Sequence, residues 1–282
     1  MVSSSSRTIL GAVSSFKGLI GVLYRSNVFT GFNISAGVDS PVSGFTSSNG
    51  PNWVNFLGAT YNQTDVKVFD LASGGATVDA ALVPPFSSTV FSIVDQVSQF
   101  KQILAPKPVG GQWDSSNSLF AFWIGINDVG NSFGWVGLLI KRRQLKVLIN
   151  YQTNITGHEP AFYTKILIRL KKGARSFLFL TVPPTDRAPI FLQQGSNVVK
   201  RLHPLIANYN AQLATIVDNF KARHKDLDQV TVFNTQPIFN TLLDNANALG
   251  FVNATGWCEA YQNGTPEKNT QIGPCAPVSS YL

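Results

Sequence analysis

The stretch Leu119-Phe120-Ala121-Phe122-Trp123-Ile124-Gly125-Ile126-Asn127-Asp128 decides the fold class. An unbroken apolar run bounded by glycine and amide suits a parallel strand buried on both faces, which delivers its polar tip to the carboxyl edge of a sheet. Open α/β sheets keep their ligands at that edge. Taken alone, Gly-Ile-Asn-Asp also fits a plain turn after a core strand, so the surrounding chain has to discriminate.

Four more short apolar runs end in turn-forming residues, at 19–23, 66–69, 177–182 and 230–233. Between them, apolar residues recur at helical spacing from Val90 to Leu104 and from Leu205 to Phe220, and a shorter helical pattern covers 161–171. Strands alternating with amphipathic helices predict a three-layer α/β/α domain around a central, mostly parallel five-stranded sheet. Irregular stretches at 31–64 and 183–198, rich in Gly, Pro, Ser and Asn, are expected to flank the carboxyl edge.

A chain of 282 residues with 44% hydrophobic content can bury a full core, and a single domain over 19–282 is expected. Net charge is +7, but the basic residues are not interleaved with aromatics, which argues against nucleic acid. The densest basic cluster, Lys141, Arg142, Arg143 and Lys146, falls in a segment set apart below; without its four charges, +7 − 4 leaves +3. Cys258 and Cys275 suit one disulfide better than zinc, because no further Cys or His ligands stand nearby. Asn-x-Ser/Thr sequons begin at Asn33, Asn62, Asn154, Asn253 and Asn263, which adds to the case for an extracellular, secreted glycoprotein. Residues 1–18 read as a degenerate signal segment, with one Arg7 and a short apolar stretch at 9–13. No run reaches the roughly 20 apolar residues that span a bilayer. No membrane partner is expected, and the protein is expected to act as a monomer.

Three strand ends carry residues with chemical potential. After 66–69 comes Asp70-Leu71-Ala72-Ser73-Gly74-Gly75-Ala76-Thr77, whose paired glycines let backbone N–H groups approach a bound atom. After Ile124 come Gly125, Asn127 and Asp128; after 19–23 come Tyr24, Arg25 and Ser26. A glycine N–H and an Asn amide at neighbouring strand ends can both donate to an oxygen that gains negative charge during acyl transfer, while a serine attacks the acyl carbon. Each signal is also compatible with an ordinary turn or surface serine.

Together with Thr30-Gly31-Phe32-Asn33, the block from Gly44 to Trp53, and Thr181-Val182-Pro183-Pro184-Thr185-Asp186-Arg187, these residues resemble the SGNH or GDSL hydrolases. Within that family the chain is most similar to fungal secreted acetylesterases that act on acetylated sugars. The resemblance runs from about Val28 to the end of the chain. It implies Gly75 as backbone oxyanion donor and Asn127 as side-chain donor. Counting back from Thr30-Gly31-Phe32 puts Ser26 at the nucleophile position, with Tyr24 and Arg25 replacing the family's Gly and Asp. Ser40, in Gly37-Val38-Asp39-Ser40, is a decoy because no apolar strand precedes it.

The family's closing Asp-x-x-His block would follow Ser279-Ser280-Tyr281-Leu282, so the resemblance implies a C-terminally truncated domain. His158 and His224 read as surface residues. His203 reads as a helix-start residue, with Lys200 rather than Asp three positions upstream. Residues 136–152 are foreign to the family pattern, and their Val start and Gln end match the borders of a retained intron.

The resemblance therefore implies a serine esterase for short-chain acetyl esters, on acetylated oligo- or polysaccharides of plant cell walls. It implies no metal or organic cofactor, and impaired turnover in this chain. Trp53, Trp123 and Trp135 are expected either to line a sugar-facing cleft or to pack in the core. The alternative is a catalytically silent carbohydrate-binding protein. A thiol or metal hydrolase is disfavoured by the two cysteines and the lack of ligand spacing.

Overall fold

The computed structural model describes residues 17–25, 53–57, 61, 66–108, 111–135, 173–251, 253–256, 258–261, 267 and 269–277. Its sheet contains β1 (Lys17–Arg25), β2 (Val66–Asp70), β3 (Ser73–Gly74), β4 (Ser118–Trp123), β5 (Ser176–Leu180) and β6 (Gln229–Phe233). The order is β2-β1-β4-β5-β6, with the two-residue β3 paired to the start of β1. Strands β4, β5 and β6 are parallel, in a register that sets Trp123 beside Leu180 and Leu180 beside Phe233.

Strand β1 departs from the expected parallel arrangement. It runs antiparallel to both neighbours, pairing Leu19 with Trp123, Tyr24 with Ser118, and Arg25 with Val66. The other long strands share one sense, so the sheet is mostly parallel with one reversed member. An apolar run fixes burial but not direction, because a strand satisfies its backbone hydrogen bonds in either sense. As a consequence β1 reaches Arg25 at the edge where β2 and β4 begin.

Helices cover both faces. Helix α1 (Ile93–Ile103) opens on a capping box in which Ser92 and Asp95 satisfy each other's backbone N–H groups. It buries Ile93, Val97 and Phe100. The long α3 (Ser196–Arg223) buries Leu202, Ile206, Tyr209, Leu213, Ile216, Val217 and Phe220. It runs through Pro204, and begins upstream of the expected start because Leu202 is anchored in the core one turn earlier. Between these helices lie α2 (Ile126–Ser132), described with the site, and after β6 comes α4 (Gln236–Asp244).

The strand period of two sorts the aromatics. Phe120, Phe122, Phe177 and Phe179 point to the α1 and α3 side and form the main core with Phe100, Trp113 and Phe220. Trp123 and Leu180 point the other way, against Val54 and Val68, with Trp53 and Phe239 packed on them. That gives the three layers. The stretch 183–198, expected to be irregular, contains a 3-10 turn at Thr185–Arg187 and a helical turn at Pro189–Leu192. Cys258 and Cys275 form the expected disulfide, with Cα atoms 6.0 Å apart. The expected helix at 161–171, the segment 136–152, the basic cluster 141–146 and the segment 1–16 lie outside the described residues.

Candidate active site

The carboxyl end of β4 passes through Ile124 to Gly125, which has φ +116° and caps α2. The Tyr209 ring fills the space a Cβ at Gly125 would take. Both the left-handed backbone and the close ring require glycine there. This turn starts α2 immediately, so Asn127 and Asp128 stand in its first turn.

The second arm follows β2. Ala72 N–H donates to Asp70 Oδ1 at 2.9 Å, β3 comes next, and Ala76 N–H closes a turn on the Ser73 carbonyl at 3.1 Å. Gly75 occupies that turn with φ +81°, and the Phe86 ring lies where its Cβ would be. The two arms are joined directly. Asn127 Nδ2 donates to the Ala76 carbonyl at 2.9 Å, and Val78 N–H donates to both carboxyl oxygens of Asp128 at 3.1 and 3.2 Å. An Asn amide nitrogen carries two hydrogens, so Asn127 can hold the Gly75 turn with one and donate to a substrate oxygen with the other. Burial pushes the Asp128 carboxyl up to about 7, against the lowering effect of the Val78 N–H.

The structure thus brings the Gly75 turn and Asn127, in the first turn of α2, together. Ser26 lies outside the described residues, as do Ser40 and His158. The β1 register delivers Arg25, the residue before Ser26, to the opposite edge of the sheet from Gly125. Of the tryptophans, Trp123 is a core residue whose Nε1 donates to the Thr181 carbonyl at 3.0 Å, and Trp53 packs edge-on against it. Trp135 is partly buried against the main core. The core alternative is realised for Trp123, while Trp53 and Trp135 are half-buried at the margins of the two clusters.

One acid–base pair escaped the sequence reading. His203 Nδ1 lies 2.8 Å from Asp186 Oδ2; the Asp is buried and the His side chain is 75% exposed. The partner comes from 17 residues upstream, in the turn after β5, whereas a search at helical spacing met Lys200. The Pro-Pro-Thr-Asp-Arg block marked Asp186 as a carboxylate just past a parallel strand, but His203, expected at a helix start, stands two turns inside α3. No hydrogen bond among the described residues joins this pair to Gly75 or Asn127. Asp128 was also passed over as a side chain with a role, although it pins the Gly75 loop.

The carboxyl edge of this three-layer α/β fold presents a left-handed glycine turn joined to an Asn amide, an arrangement with N–H groups able to donate to a bound oxygen. The chain matches the profile of the GDSL-like lipase/acylhydrolase family over residues 26–270, and it belongs to that family. It is 35% identical over 213 residues to an acetylesterase from Thermothelomyces thermophilus, an alignment covering 75% of this chain and 66% of the relative. It is 24% identical over 212 residues to a thermolabile hemolysin from Vibrio parahaemolyticus serotype O3:K6 (strain RIMD 2210633), covering 75% of this chain and 43% of that protein. The chain therefore spans less than two thirds of the length of these relatives. Strand β1 precedes the matched region, which fits its departure from the expected sheet.

Proposed function

We propose that the protein hydrolyses short-chain esters, acetyl groups on cell-wall carbohydrate first among them. Gly75 N–H and the Asn127 amide hold the carbonyl oxygen while Ser26 Oγ attacks the acyl carbon; a base takes the hydroxyl proton and returns it to the departing sugar oxygen, and water then cleaves the acyl-serine to release acetate and restore Ser26. The observation that carries this reading is the hydrogen bond from Asn127 to Ala76, which sets the amide beside the Gly75 turn. The similarity to an acetylesterase supports the acyl group. An extracellular setting is supported by the disulfide and by the Asn253 sequon, whose side chain folds into a local turn with Thr255 and Gly256.

The direction of β1 favours a second reading, a catalytically silent carbohydrate-binding protein. Attack by Ser26 at the far edge requires a return of the chain after Arg25. Acetate release from acetylated xylan by the purified chain separates the two. Under the first reading Asn127→Ala lowers kcat by about 10²–10³-fold, the usual cost of one oxyanion donor, and Ser26→Ala abolishes turnover. Binding of the oligosaccharide without acetate release selects the second.

A further inference from the structure

We propose that Phe86 is the specificity-determining wall of the acyl side of this site, restricting it to short acyl chains; the inference rests on Gly75 acting as oxyanion donor. Phe86 is 79% exposed, the most exposed of the large hydrophobic residues described. Its ring nevertheless has a defined neighbour, because Cδ1 and Cε1 occupy the position of a Gly75 Cβ. The loop that carries it is anchored to both arms of the site. Thr77 Oγ1 donates to the Val83 carbonyl at 2.8 Å, Asn131 Nδ2 of α2 donates to the Pro84 carbonyl at 3.1 Å, and Phe91 N–H donates to Ser73 Oγ at 3.2 Å. Pro84 and Pro85 stiffen the approach to the ring.

An oxygen held by Gly75 N–H sits about 3 Å from that nitrogen. On this proposal the acyl chain runs from the carbonyl carbon towards the Phe86 ring, which lies against Gly75. A wall this close accommodates a methyl group and obstructs a longer chain.

The test uses the full chain and nitrophenyl esters of acetate, butyrate and octanoate. Phe86→Ala raises the octanoate-to-acetate ratio of kcat/KM about tenfold, within the usual range for apolar pockets, and Phe86→Trp lowers the butyrate-to-acetate ratio. Because the side chain is exposed, Tm moves by no more than about 2 °C. A chain-length profile unchanged in both variants, or an equal fall for every ester, overturns the proposal. If the parent chain turns over no ester, the hydrolytic reading fails separately, and the intact esters serve as ligands for saturation-transfer NMR. Stronger octanoate binding to Phe86→Ala than to the parent then supports the wall, and equal binding overturns it.

Discussion

The carboxyl of Asp128 stands in the first turn of α2, where a helix N-terminus favours negative charge by roughly 0.3–1 kcal/mol. Burial opposes that effect and prevails, raising the carboxyl to about 7. In an unfolded chain the same group releases its proton near pH 4. Between those limits the folded state retains a proton that the unfolded state has lost. The stabilising contribution is therefore complete below about pH 4 and declines as pH rises through about 7. Asp128→Asn keeps an oxygen for Val78 N–H without the ionisation. Urea unfolding of the variant should show it more stable than the parent at pH 8, with the advantage shrinking towards pH 5. An advantage independent of pH would mean that Asp128 is not the group responsible.

At the scale of elements, the direction of β1 matters most for the chemistry, because it decides where the chain stands before Ser26. Directly opposed residues in an antiparallel pair have Cα atoms about 4.5–5.5 Å apart, within disulfide reach. Tyr24 and Ser118 are such a pair. Leu19 pairs with Trp123 at the other end of β4, five residues from Ser118, a separation of about 17 Å at strand rise. The described cysteines are both in the native disulfide, so introduced thiols have only each other to join. Tyr24→Cys with Ser118→Cys should cross-link under mild oxidation, and Leu19→Cys with Ser118→Cys should not, as read by the mass of a proteolytic fragment. The reverse outcome would turn β1 parallel and bring Ser26 to the edge holding Asn127. The five apolar runs were legible as strands because burial writes itself into hydrophobicity. The sense of β1 was not, since direction depends on the path between elements. The core role of Trp123 follows from which side of its strand it takes, which requires the register rather than the residue type, and Trp53 reaches it from a short helix at Trp53–Asn55.

Across the molecule, Gly75 and Asn127 were legible because each is bound to a visible strand end. The Asp186–His203 pair was not, because its partners meet only once α3 has folded back along the sheet. The disulfide was legible for a simpler reason: two cysteines 17 residues apart can close one small loop. In the chain that loop follows a minor cluster of Ala246 and Phe251, which is separate from the aromatic core around Phe120 and Phe177. It has further ties, with Tyr261 Oη donating to the Ala276 carbonyl at 2.7 Å and accepting from Ile272 N–H at 3.2 Å. Closing a loop of this size contributes about 3 kcal/mol in the chain-entropy account. Replacing Cys258 and Cys275 together by Ser should therefore lower unfolding stability by up to about that amount. The loss should be local in amide hydrogen exchange. The hydrogen-bonded amides of Tyr261, Ile272 and Cys275 lose protection, whereas those of β4, β5 and β6 keep theirs, because the sheet is held by its own ladder and by the aromatic packing around Phe120 and Phe177. Equal loss of protection in both regions would show that the C-terminal staple supports the sheet that holds Asn127.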